Sequence, residues 1–198
     1  MSKGIIATII IVGIILILVF WTFGSYNGLV TKEEGVSNQW ANVESQYQRR
    51  ADLIPNLVNT VKGYADFEQE TLTKVIEARA NATSVKIDPT NLTPEKLQQF
   101  QQAQDQLGQS LGRLLVVVER YPDLKANQNF MDLQVQLEGT ENRIAIARNR
   151  FNESVNGYNS AVRTFPAVLL AGMFGFERKG YFEAVEGAQN APQVDFEN

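Results

Sequence analysis

From Trp40 to Arg79, apolar residues recur at Val43, Tyr47, Ala51, Ile54, Val58, Val61, Ala65, Leu72 and Ile76, with polar Glu68 in one slot. Steps of three and four predict one face of a long helix. The opposite face carries Asn42, Gln48, Arg49, Asp52, Asn56, Asn59 and Lys62. A helix this one-sided needs partner helices to cover its stripe. Pro55 lies inside the pattern, yet the apolar phase continues on both sides of it. A proline removes one backbone donor and crowds the preceding turn, so a kink rather than a reversal is expected there. The helix is expected to fade over Ala82 to Lys86, and Asp88-Pro89 and Asn91 mark a loop.

Thr93-Pro94-Glu95 reads as a helix start, with Thr93 as cap, Pro94 in the first position and Glu95 at the positive end. Leu92 and Leu97 are spaced for a hydrophobic staple. The second helix shows Leu97, Phe100, Leu107, Leu111, Leu114 and Val118. Gly108 and Gly112 sit one turn apart on it, either in close backbone packing or simply tolerated. Tyr121-Pro122 breaks the pattern and predicts a reversal. A third helix is expected from about Leu124 to Phe165. Phe130, Leu137, Ile144, Phe151, Tyr158 and Phe165 repeat every seven residues, and Leu133, Thr140, Ala147, Ser154 and Ala161 follow the first five by three. That repeat is expected of nearly antiparallel packed helices, and the small residues suggest a close neighbour.

Two further stretches stand outside this periodicity. Gly4 to Phe23 has no charged residue. At about 1.5 Å per residue it spans roughly 30 Å, the thickness of a hydrocarbon core. Trp21, Phe23 and Tyr26 follow in place of a small-residue cleavage site, so an uncleaved anchor is expected rather than a signal peptide. Lys3 and the amino terminus precede it and Lys32 follows, a balance that favours a cytoplasmic N-terminus and a bundle outside the cytoplasm. Tyr26 to Val36, with Gly28 and Gly35, reads as a short linker. Phe165 to Phe176 is a second apolar island, too short to span a bilayer. Its candidate contact residues are Phe165, Leu169, Leu170, Met173, Phe174 and Phe176. It could close the bundle end, dock on another protein or touch lipid. Three helices, out, back and out again, place it away from the membrane, which counts against lipid. Glu177 to Asn198 is expected to be extended or disordered.

The net charge of −4, with Lys and Arg dispersed, argues against a nucleic-acid partner. Without Cys or His the chain has no disulfide, no thiolate or imidazole metal ligand and no usual general base. No phosphate-binding loop, dinucleotide fingerprint or nucleophile elbow is present. Carboxylates remain: Glu138 and Glu141 on the third helix, Glu68 and Glu70 on the first. Di-metal bundles also need Glu-x-x-His motifs. An exposed or Arg-paired Glu141 is therefore expected, with no enzymatic activity and no cofactor. A polar cluster around Pro55, formed by Gln46, Arg49, Arg50, Asp52, Asn56 and Asn59, is the candidate partner-binding surface. A solvated or internally paired face is its alternative.

Tyr26-Asn27-Gly28-Leu29-Val30, Trp40-Ala41-Asn42-Val43-Glu44 and Gln46 through Val58 resemble the LemA family. Tyr121-Pro122-Asp123-Leu124-Lys125-Ala126-Asn127, Leu137 through Ile144, Arg148 through Asn152 and Tyr181-Phe182-Glu183-Ala184 resemble it as well. At Tyr64-Ala65-Asp66-Phe67-Glu68 the family's histidine is missing. The resemblance implies a bacterial single-pass membrane protein with an antiparallel helical bundle and no established activity or cofactor. It also implies links to the envelope, to magnetosome membranes and to membrane proteases, and a topology with the N-terminus outside, opposite to the charge balance.

The expected fold is all-α: an anchor over 1–25, an antiparallel up-and-down bundle of three long helices over 26–176 with the first kinked at Pro55, and a tail over 177–198. The expected role is a non-enzymatic, self-associating scaffold or adaptor in the bacterial cytoplasmic membrane, with the bilayer and other membrane proteins, a protease among them, as partners. A peptide- or lipid-binding module near Pro55, acting with a membrane protease, is the alternative.

Overall fold

The computed structural model describes residues 3–64 and 68–183. Among these the chain is helical: α1 Lys3–Lys62, α2 Gln69–Ser84, α3 Pro94–Val118, the single turn α4 Pro122–Lys125, α5 Gln128–Arg163 and α6 Ala167–Phe174. α1 has 60 residues, a length of about 90 Å. Its first part, long and apolar enough to cross a membrane, has no buried residue among the described ones. The same helix then continues into the bundle without interruption. The expected linker at Tyr26 to Val36 is instead helical, because Leu29 and Val36 bury their side chains and extend the stripe of Trp40 and Val43. Packing of that stripe offsets the helical cost of Gly28 and Gly35.

Pro55 does not end α1, as expected. The reversal comes at Gly63 and Tyr64, so the stretch from Trp40 to Arg79 is two antiparallel helices rather than one. Arg79 of α2 returns to the level of Ala51, donating from Nε to its carbonyl at 2.7 Å. In an unbroken helix the N–H of residue 55 would take that carbonyl; a proline has none. Pro55 thus leaves free an acceptor that pins α2 to α1. Arg79→Ala is expected to cost about 1–3 kcal/mol, and less in a Pro55→Ala background, where a restored backbone N–H takes the Ala51 carbonyl. A double-mutant cycle on urea midpoints measures that coupling. The reversal also shifts the buried phase of α2: Val75 is buried, whereas Ile76, expected on the stripe, is exposed. Ala65 lies outside the described residues.

α3 starts as expected, with Lys96 N donating to Thr93 Oγ1 at 3.4 Å and with Leu92 and Leu97 both buried. Its six expected core residues, Leu97 to Val118, are all buried. Gly108 and Gly112 face open space, with nothing within 4 Å of an added Cβ, so they are tolerated rather than close-packed. Gly108→Ala and Gly112→Ala are each expected to raise stability by up to about 1 kcal/mol, read as higher urea midpoints. α4 and α5 follow the break at Tyr121-Pro122, and Asn127 Oδ1 caps α5 by accepting from Phe130 N at 3.1 Å. α5 buries Phe130, Thr140, Ile144, Ala147, Phe151 and Tyr158 of the repeat, plus Val155 and Val162. It ends at Arg163, so Phe165 leaves the seam and is exposed.

Because α2 adds a reversal, α5 descends toward the anchor. The island therefore sits at the end of the bundle nearest the apolar run of α1, with Phe174 and Phe176 against Tyr26 at ring-centroid distances of 5.0 and 5.6 Å. The parity expectation is overturned: counting three helices missed one. Residues 177–183 form no helix or strand and are docked on the bundle: Lys179, Gly180 and Phe182 are buried. Residues 184–198 lie outside the described residues.

Candidate functional site

The bundle has two apolar cores. The distal one gathers Ile54, Leu57, Val61, Leu107, Leu114 and Phe130; the proximal one, nearer the apolar run of α1, gathers Val36, Trp40, Tyr47, Phe100, Phe151 and Phe182. A polar layer centred on Arg50 lies between them. Arg50 falls seven residues after Val43 and three after Tyr47, on the buried stripe of α1. Its Nη2 donates to the Gln104 carbonyl at 3.1 Å and to Gln104 Oε1 at 2.7 Å, and its Nη1 pairs with Glu141 Oε2 at 2.9 Å. Gln104 Nε2 in turn donates to the Ala82 carbonyl at 3.1 Å, near the end of α2. One guanidinium thus links α1, α3 and α5 directly and α2 through Gln104. A planar fork with several fixed donors suits that task, and lysine would not.

The lower half of the bundle lacks α2. The loop after α2 and the segment 177–183 take its place, contributing Ile87, Leu92 and Phe182 to the core. Two asparagines seven apart on α5 hold this strap like the edge of a sheet. Asn159 donates to the Lys179 carbonyl and accepts from Lys179 N, both at 2.9 Å. Asn152 does the same for Phe182, again at 2.9 Å each way. The Lys179 ammonium reaches Glu33 Oε1 and the Thr90 carbonyl, both at 2.7 Å. Gly180 lies so close to Pro94 that an added Cβ would come within 2.8 Å of its Cα. Phe182 then stacks on Trp40 at 6.1 Å, beneath the Arg148 guanidinium at 4.7 Å.

The six residues chosen from the sequence around Pro55 separate. Arg50 is turned inward and is not available to a partner. Gln46 is half-buried beside a depression of about 230 Å³ between α1 and α5. Arg49, Asp52, Asn56 and Asn59 are exposed, and Asp52 accepts from Gln48 Nε2 at 2.8 Å. Of the island, Leu170 is buried, Phe176 is half-buried, and Phe165, Leu169, Met173 and Phe174 are exposed. Glu141 is 63% exposed as well as Arg50-paired. Glu68 accepts from Arg120 Nη2 at 3.1 Å and Tyr121 Oη at 3.3 Å, closing the distal end. Among the described residues no group of three Asp or Glu side chains is placed to hold a metal ion. Sequence reasoning missed the strap and the Asn152 and Asn159 pair; their seven-residue spacing along the seam was the available signal.

Burial raises the pKa of Tyr47 and of Tyr158, and it raises that of Asp105 against the pull of Arg148 and Arg50. For the tyrosines, the folded chain holds the proton more tightly than the unfolded one. Their share of stability is complete below about pH 10 and falls as pH rises beyond it. The Tyr158 hydroxyl is buried without a partner among the described residues. Tyr158→Phe is therefore expected to leave the neutral urea midpoint unchanged or higher and to flatten the alkaline fall.

A family model described as LemA family matches residues 39–196. The chain is 27% identical over 201 residues to Magnetosome protein MamQ of Magnetospirillum gryphiswaldense, covering 92% of this chain and 74% of that protein. It is 28% identical over 175 residues to Magnetosome protein MamQ 2 of Paramagnetospirillum magneticum, covering 80% of this chain and 64% of that protein. Protein LemA of Metamycoplasma hominis is 25% identical over 170 residues, covering 86% of this chain and 74% of that protein. The chain thus spans only part of each relative's length.

Proposed function

Since the chain belongs to the LemA family, we propose that it is a non-enzymatic scaffold of the bacterial cytoplasmic membrane, anchored by Gly4 to Phe23 and self-associating through its bundle. The observation that carries this reading is the unbroken α1. A flexible tether would let a domain diffuse and capture partners at random angles. A continuous helix, gripped by α5 along its outer part, fixes the bundle's angle and height over the bilayer. That geometry suits presentation of a fixed surface to neighbours in the same membrane. The acidic bundle lies outside the cytoplasm in this reading, following the charge balance around the anchor.

The mass of the full-length protein in detergent, measured by light scattering, tests self-association. A defined oligomer is expected. A strict monomer that also captures no membrane protein after cross-linking in cells would reject the scaffold. A reporter fused after Asn198 tests the orientation.

A further inference from the structure

We propose that the island Phe165 to Phe176 is a second lipid-contact element, seated in the interfacial layer of the bilayer that α1 crosses. This rests on the anchor reading of Gly4 to Phe23. The stretch contains neither a charged side chain nor a hydroxyl. α6 is held to the bundle by buried Leu170 and Ala171. Three large side chains of the island point away from the protein: Phe165 is 76% exposed, Leu169 63% and Met173 75%. An apolar surface of this kind marks a contact site.

Its position decides what it contacts. Phe174 and Phe176 both pack edge-on against Tyr26. Tyr26 lies three residues beyond Phe23, the end of the apolar run, on the same unbroken helix. Three residues of helix are about 4.5 Å. The island therefore lies within about one helical turn of the level where α1 enters hydrocarbon, and its apolar surface continues that of the spanning segment. Trp21, Phe23, Tyr26, Phe174 and Phe176 together form an aromatic group at that level, as favoured at membrane interfaces. Exposed Arg163 precedes the uncharged stretch and the exposed pair Glu177 and Arg178 follows it, and the two arginines suit phosphate headgroups.

The absence of native cysteine makes the test direct. Met173→Cys, with Leu169→Cys as a second position, is labelled with an environment-sensitive dye in the full-length protein. Ile17→Cys marks the anchor, and Val116→Cys marks the exposed surface of α3. The proteins are placed in phosphatidylcholine and phosphatidylglycerol vesicles, with iodide on both sides or with lipids bearing a headgroup-level nitroxide. Dyes at Met173 and Leu169 are expected to shift to the blue, lose iodide quenching and gain lipid quenching, whereas a dye at Val116 does the reverse. If Ile17 reports lipid while Met173 and Leu169 behave like Val116, the inference fails and the anchor stands. If Ile17 also reports water, both fail. Dye self-quenching at Met173 without lipid quenching assigns the patch to a second copy and overturns the proposal.

Discussion

Trp40→Ala lowers the stability of the folded protein by about 3–5 kcal/mol, the range for deleting a buried aromatic side chain. Trp40 is enclosed by Phe100, Phe151 and Phe182 at centroid distances of 5.1, 5.7 and 6.1 Å, one ring each from α3, α5 and the strap. Losing it opens a cavity that three separate elements would have to move to fill. The strap is affected most, because Phe182 rests on the indole face. Trp40→Phe keeps part of the aromatic contact and is expected to lose less than half as much. Urea unfolding of the full-length protein in detergent, followed by circular dichroism, separates the two. Equal midpoints for the variant with alanine and the parent protein would mean that the aromatic cluster does not hold the proximal core.

Arg50→Ala is expected to cost about 3 kcal/mol, because hydrogen bonds to charged groups contribute about 1.5–3 kcal/mol each and their loss leaves buried acceptors unpaired. Gln104 Oε1 is stranded inside, whereas Glu141 keeps access to water. The cost therefore comes chiefly from the α1–α3 contact rather than from a stranded carboxylate. Glu141→Gln is accordingly expected to lose under about 1 kcal/mol, the usual range for a water-accessible ion pair. Arg50→Lys recovers little, since one ammonium cannot reach both elements in the same geometry. A buried polar layer between two apolar cores also opposes sliding of the helices past one another, so a slipped register would leave the guanidinium unpaired.

Much of this fold was legible. The seven-residue repeat located α5 and its buried face, and Thr93-Pro94-Glu95 located the start of α3. The polar face of α1 at Asn42, Gln48, Asp52, Asn56 and Asn59 is exposed as its spacing predicts. The reversal at Gly63 was concealed because three-and-four spacing resumes at Leu72, so two helices mimic one. Glu68 in an apolar slot was the local mark of the break, since that carboxylate belongs to the distal closure with Arg120 and Tyr121. That single miscount carried the island to the wrong end of the bundle. Gly28 and Gly35 suggested a linker, but Leu29 and Val36 already continue the stripe of Trp40 and Val43 backward by sevens. Of the candidate site, Arg50 was legible as a residue and mistaken in direction: its place on the apolar stripe argued for burial. The strap had no periodicity to show. Its position is set by hydrogen bonds from Asn152 and Asn159 to its backbone, which leave little trace in its own sequence.

The central claim is that one continuous helix mounts the bundle on the membrane. Nitroxide labels at Ile17→Cys and Glu44→Cys, in the full-length protein reconstituted in lipid nanodiscs, test it by pulsed electron paramagnetic resonance. Both positions are exposed and lie on α1. Twenty-seven residues of helix separate them, so the account predicts a narrow distribution centred at about 40 Å. A broad or markedly shorter distribution would place a hinge between Tyr26 and Val36, and would contradict both the rigid mount and the scaffold built on it.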